Sequence, residues 1–137
     1  NAVYDTNSFG RLKLMGCALN NLRFLEDFKT SYISLTNKEL DAHDFQKGDT
    51  EGLVNYALSI KGIVMAAIIK DAEGEIKMSF RSVGDFAVNQ FANDHFGGGG
   101  HINAAGGASS AAHTPGSVVE YAASNMLSII VLVIKRS

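Results

Sequence analysis

Apolar positions over residues 8–28 recur at helical spacing: Leu12, Met15, Leu19 and Leu22, with Leu14, Ala18 and Leu25 alongside. That periodicity predicts an amphipathic helix packed on another element. The period then changes. TSYISLT (Thr30 to Thr36) is rich in β-branched and aromatic residues and alternates like a strand. NKELDAHDF opens with Asn37 as an N-cap and reads as a short helix. In GDTEGLVNYALSIKG, Leu53, Val54, Ala57 and Leu58 make one helical face after a cap at Asp49 or Thr50. GIVMAAIIKD and EIKMSFRS read as two strands around the turn Asp71 to Gly74. The first is apolar nearly throughout, as suits a strand buried on both faces.

In the second half, VGDFAVNQFANDHF reads as a helix capped by Asp85, with Val88, Phe91 and Ala92 on one face. The glycine run that follows therefore sits at that helix's C-terminal end. AAGGASS suits a strand, and TPGSVVEYAASNML a helix entered at Thr114 and Pro115. The tail SIIVLVIKRS reads as a buried strand. Without internal repeats, the pattern predicts an α/β fold: a single compact domain with a central mixed β-sheet flanked by helices, preceded by a linker helix.

Composition narrows the class. The 137 residues can bury a core without staples, and 46% hydrophobic with 19% charged residues exclude a disordered chain. A net charge of −2 excludes a strongly basic nucleic-acid wrapper but leaves room for a patch that grips one or two phosphates. Cys17 is the one cysteine, so no disulfide framework exists and a reducing, cytoplasmic setting is expected. Its neighbours Gly16 and Ala18 place it in the core rather than in a nucleophile's role. The run Ile129 to Ile134 is far shorter than the about 20 apolar residues of a bilayer span, so no membrane partner is expected. A chain that starts at Asn1 rather than Met reads as part of a longer protein.

Candidate chemistry concentrates in HFGGGGHINAAGG, residues 95–107. Four glycines in a row cost conformational entropy and call for a reason. A P-loop is excluded because no Lys-Ser or Lys-Thr follows Gly100, and a dinucleotide fingerprint because Ile102 and Asn103 stand where glycine is needed. What survives is a backbone without Cβ atoms whose N–H groups could converge on an anion. His101 supplies a donor that can become cationic near neutral pH, and Arg81, at a strand end, a planar fork that matches phosphate. A helix cap and tight turn would account for one or two glycines, but not for four followed by Ala-Ala-Gly-Gly.

With the strand end SFRS and the segment GDTEGLVNYALSIKG, the element GGGGHINAAGG resembles the C-terminal domain of the Asp-His-His (DHH) phosphoesterases. The likeness is greatest to bifunctional oligoribonucleases and 3'-phosphoadenosine 5'-phosphate phosphatases, a branch with exopolyphosphatase-related members. VYDTNSFGRLKLMGCALN resembles the connecting segment and long helix after the catalytic domain. The resemblance thus implies a linker over residues 1–28 and a DHH-associated substrate-binding domain over 29–137. It implies that Gly98, Gly99, Gly100 and His101 hold a substrate phosphate with Arg81, and that Glu51 and Asn55 face the cleft. The implied ligands are a nucleoside bisphosphate or short single-stranded RNA. The implied partner is a catalytic DHH domain carrying Mn²⁺, and homo-oligomers are compatible with it.

The catalytic Asp-His-His motif itself is absent. Asp41, His43 and Asp44 read as a solvated helix surface, His95 as a helix-end residue and His113 as loop surface, so no metal site or cofactor is expected in this segment. Phe80, Phe86 or Phe96 could stack on a base, against the plainer reading that each is core. Alternatives are a non-catalytic RNA-binding appendage like that of alanyl-tRNA synthetases, or the same domain of a cyclic-dinucleotide phosphodiesterase.

Overall fold

A computed structural model describes residues 8–43, 52–72, 75–110 and 118–134. Helix α1 (Phe9–Asn20) is capped by Ser8, whose Oγ accepts the Arg11 N–H at 3.0 Å. It ends earlier than the apolar spacing predicts. Asn20 and Asn21 are weak helix formers, and the Asn21 side chain instead donates to the Ser34 carbonyl and to Glu39 Oε2, both at 2.9 Å. The released chain forms β1 (Arg23–Leu25), a 3₁₀ turn (Glu26–Phe28) and β2 (Thr30–Leu35). Helix α2 (Asn37–Ala42) follows, capped by Thr36 rather than Asn37 in a reciprocal box with Glu39. The box wins because it satisfies two end donors at once: Glu39 N–H binds Thr36 Oγ1 at 3.1 Å, and Thr36 N–H binds Glu39 Oε1 at 2.9 Å.

Helix α3 (Leu53–Leu58) leads into β3 (Met65–Ala72), which pairs with β4 (Glu75–Ser82). Gly52 precedes α3; the cap candidates Asp49 and Thr50, the tip of the β3–β4 turn, and the Thr114–Pro115 entry lie outside the described residues. Helix α4 (Val88–Phe96), strand β5 (Gly99–His101), strand β6 (Ala104–Ser110) and helix α5 (Val118–Ile134) complete the chain. The six strands run in the order β1-β2-β3-β4-β6-β5. Among the described residues only the β2–β3 pair is parallel, so the sheet is mixed as expected.

Two apolar layers hold helices to the sheet. On one face Leu14, Ala18, Leu40, Leu53, Val54 and Ala57 from α1–α3 meet Ile33, Leu35, Ala66 and Ile68. On the other, α4 and α5 cover Met65, Ala67, Ile69, Ile76, Met78 and Phe80. The tail read as a strand is instead the end of α5. Its β-branched run suits either state, but Ala122, Ala123, Met126 and Ile130 are buried at helical spacing, and packing against the sheet decides the matter. Among the described residues no helix is long and apolar enough to cross a membrane.

Helix α4 also starts later than expected, at Val88 rather than behind Asp85. Its N-cap, Ala87, has no side chain able to cap it; Val88 N–H donates to the Ile102 carbonyl at 2.8 Å and Gln90 N–H to Asn89 Oδ1 at 2.9 Å. At its far end Gly97 adopts the left-handed conformation (φ 60°), and Gly98 N–H donates to the Ala92 carbonyl at 3.0 Å. Phe91 and Phe96 then meet Phe80 with ring centroids 5.4 and 5.6 Å away. All three rings are core, so Phe80 and Phe96 are not available to stack on a base; Phe86 is half-buried and packs on the same cluster.

That packing brings backbone onto backbone. A Cβ on Gly98 would overlap the Gly106 carbonyl oxygen, one on Gly100 would lie 2.6 Å from the Ala104 carbonyl oxygen, and one on Gly107 would lie 2.7 Å from Phe96 Cβ. A Cβ on Gly99 would meet nothing within 4 Å. Gly98→Ala should therefore lose roughly 2–3 kcal/mol of stability, as overpacking does. Gly99→Ala should stay within about 0.5 kcal/mol of the parent. Urea unfolding of the two variants side by side tests the contrast; equal losses would contradict it.

Cys17 lies where α1 meets α2. Burial pushes its thiol up to about 11, and the neighbouring Glu39 carboxylate, which accepts from Sγ at 3.3 Å, adds to the shift. Burial alone would raise Glu39, but hydrogen bonds from Asn21, Thr36 and Cys17 outweigh it and hold the carboxyl below its ordinary 4.5. A carboxyl depressed on folding contributes stability that is present above its unfolded pKa and lost as pH falls through the folded value. Two outcomes are expected: the thiolate absorbance of the folded protein rises near pH 11, and Glu39→Gln lessens the loss of melting temperature on acidification below about pH 4.5. A thiol titrating at its ordinary value, or an unchanged acid limb, would refute the respective assignment.

Candidate functional site

Register, rather than sequence proximity, brings the candidate residues together. His101 on β5 stands opposite Ala104 on β6, and Ala104 stands opposite Arg81 on β4. Directly opposite residues share a sheet face. Along β4, Ile76, Met78, Phe80 and Ser82 are buried on the α4–α5 side, which turns Glu75, Lys77, Ser79 and Arg81 to the other face. Ala105 also belongs to the α4–α5 core, so Ala104 and His101 share the Arg81 face. Two strand spacings separate His101 from Arg81, about 10 Å between Cα atoms. Side chains of that length can converge on one anion between them.

Among the described residues no helix packs over this face at β5 and β6. Helix α3 packs over β2 and β3 and borders β4, whereas β6 and β5 carry only small residues beside Arg81 and His101. Gly99 and Gly106 are cross-strand partners. A Cβ on Gly106 would meet only the Met78 carbonyl oxygen, at 3.4 Å. Gly98, Gly100 and Gly107 are thus demanded by the fold, while Gly99 and Gly106 are not. They leave a flat clearing of peptide backbone next to the two basic side chains.

The glycine run is not a nest. Gly99 to His101 form an extended edge strand, in which successive N–H groups point to opposite sides and cannot converge on one anion. The closing pair of the hairpin, His101 and Ala104, uses its groups within the ladder, so Gly100 turns its N–H and carbonyl to the free edge. What the strand offers a ligand is clearance and an unpaired edge. The run carries no strand pattern, because glycine is depleted in strands.

Arg81 is half-buried and donates through Nη1 to the Phe80 carbonyl at 3.0 Å, which leaves other guanidinium donors for a ligand. His101 is exposed at the start of the turn Ile102–Asn103. That turn is pinned. Asn103 Nδ2 donates to Ser82 Oγ at 2.9 Å and to the Gly84 carbonyl at 3.2 Å, and Ser82 N–H donates to the Asn103 carbonyl at 3.1 Å. Ser82 Oγ in turn donates to the Phe86 carbonyl at 2.6 Å. The pinning role of Asn103 and Ser82 was not read from the sequence, although Asn103 lies within HINAAGG and is a residue type suited to bonding turn backbone.

Asn55 is exposed on α3, the helix that borders this face; Glu51 lies outside the described residues. Among the described residues no group of three or more His, Cys, Asp or Glu side chains could hold a metal ion. His95 is exposed in the last turn of α4, its ring 5.3 Å from that of Phe91, and Asp41 and His43 sit at the end of α2. The described residues therefore do not fit a dinuclear Mn²⁺ centre, and Asp44 and His113 lie outside them.

Known proteins share this fold. A solved exopolyphosphatase-related protein from Bacteroides fragilis is 38% identical, with a TM-score of 0.77 over 95% of this chain and 38% of that one. A pGpG-specific phosphodiesterase from Vibrio cholerae shares the fold at 11% identity, with a TM-score of 0.61 over 90% of this chain and 38% of that one. The chain thus spans about two-fifths of either protein. No curated protein gives a significant sequence match. The model of the DHHA1 domain matches residues 26–127, and with the 38% identical structure it establishes that this chain belongs to the DHHA1 domain family.

Proposed function

We propose that this chain is the substrate-binding part of a metal-dependent phosphoesterase and that its open sheet face holds a non-reacting phosphate of a nucleoside bisphosphate or short RNA. The row His101–Ala104–Arg81 carries the reading: two cationic or potentially cationic side chains flank backbone that, among the described residues, carries only small side chains. Arg81 supplies a planar pair of donors for phosphate oxygens, and His101 a second donor from the other side. Gly99 and Gly106 let the ligand lie against the peptide planes. Tyr56, half-exposed on α3, an element that contacts β4, offers a base a stacking surface.

Cleavage would fall to a DHH domain, where bound metal ions would supply the phosphoryl-transfer chemistry. This chain's share of the reaction is positioning. Fixing the distant end of the substrate removes translational and rotational freedom before the chemical step. The bifunctional oligoribonuclease and 3'-phosphoadenosine 5'-phosphate phosphatase activity remains the reading that the GGGGHINAAGG element favours.

Adenosine 3',5'-bisphosphate titrated into the protein by calorimetry should bind weakly. Arg81→Ala and His101→Ala should each lose roughly 1.5–3 kcal/mol of that binding, the range for hydrogen bonds to charged groups. Gly106→Ala should keep the parent's melting temperature within a few degrees yet bind less tightly, because its methyl group fills the clearing. Unchanged binding in the Arg81 and His101 variants would refute the phosphate assignment.

A further inference from the structure

The face that carries Arg81 continues along β4. Lys77 lies on it four residues away, exposed, opposite Ala108 on β6 and Lys70 on β3. Between Lys77 and Arg81 come Ser79 and its cross-strand partner Gly106, with Gly99 beyond. Basic side chains thus stand at both ends of a floor made of small residues. Four residues of antiparallel strand span about 13 Å. That is roughly two sugar–phosphate steps of an extended single strand. One more pair along β4, Glu75 brings a negative charge onto the same face and ends the basic strip.

We propose that Lys77 binds a second phosphate, two nucleotide steps from the one held by Arg81 and His101, so that this face takes an extended single strand of at least three nucleotides. The inference rests on the phosphate reading of Arg81 and His101 and adds a length requirement to it. A nucleoside bisphosphate carries its two phosphates on one sugar and engages only the Arg81 end. A 5'-phosphorylated trinucleotide engages both ends, its middle phosphodiester lying over Ser79 and Gly106, where the floor carries only small residues among the described ones. An ammonium on a flexible stem suits this outer position because it binds phosphate as a point charge without fixing its angle. Lys77 is then a specificity residue for substrate length.

The test compares 5'-phosphorylated triadenylate with adenosine 3',5'-bisphosphate on the parent, Lys77→Ala, Lys77→Arg and Arg81→Ala. Lys77→Ala should weaken triadenylate about tenfold, the size of one charged hydrogen bond, and leave the bisphosphate unchanged. Lys77→Arg should bind both like the parent. The slope of log affinity for triadenylate against log salt should fall by about 0.7 in Lys77→Ala, as for one lost contact to a single strand. An equal loss for both ligands, no loss for either, or displacement of triadenylate by a glutamate-rich peptide of equal affinity would overturn the proposal. If Arg81→Ala weakens the bisphosphate while Lys77→Ala changes nothing, the second subsite alone fails. If Arg81→Ala leaves the bisphosphate unaffected, the underlying phosphate reading fails with it.

Discussion

The close approach of β5 to β6 beneath the end of α4 sets most of what this fold can do. Phe96 packs on Phe80 and lies directly against Gly107, so α4 reaches the sheet with no side chain between. The chain leaving α4 must then run along β6 at a distance that only glycine tolerates at 98 and 100. Two consequences follow. Helix α4 takes the Ile102 carbonyl as its N-terminal partner, which ties the β5–β6 turn to the β4–α4 connection. And β5 is held in the one register that sets His101 on the face of Arg81. A slip of one residue would send His101 to the opposite face.

Two kinds of glycine share the run, and the distinction bears on function. Where a Cβ would strike backbone, glycine is a packing requirement and says nothing about ligands. At Gly99 and Gly106 no such requirement exists, and alanine or serine would suit a strand better. Glycine in a strand that could bear a side chain forgoes both packing and entropy. Its presence in a cross-strand pair beside Arg81 is most simply explained by something outside the chain that must come close. The same face has Ala104 and Ala108 at the neighbouring β6 positions, so the clearing is continuous.

Strands β3, β4 and β6, the buried side of α4 and the mixed α/β character were legible because their patterns are local: an apolar run, an alternation, a period of three to four. Failures came where tertiary contacts overrode local signals. Leu22 and Leu25 extend a helical period, yet Asn21 finds better partners in Ser34 and Glu39, and the chain turns into β1. Ile129 to Ile134 has strand composition, but burial along one side of α5 needs Ile130 at helical distance from Met126. Strand β5 escaped notice since three glycine-rich residues have no pattern at all. Of the site, the residue types at 81 and 101 could be read in advance. Their alignment across β6 could not, because register depends on the two-residue turn and on Asn103 pinning it.

Net charge and local charge point in different directions here, and the local arrangement decides. A chain of net charge −2 has no general attraction for nucleic acid. Arg81 and Lys77 on one strand, with His101 two strands away, nevertheless make a short basic strip bounded by Glu75. On the proposed reading such a strip would bind a small, multiply charged ester without retaining long RNA, whose affinity grows with the number of contacts. That would suit a surface that releases what it has held after a single bond is cut. A rigid sheet serves this better than a loop, since its register is over-determined by the ladder on one side and the aromatic packing beneath. Weak, well-placed binding is the physical condition for a positioning domain: it orders the substrate without sinking it into a ground state too deep to leave.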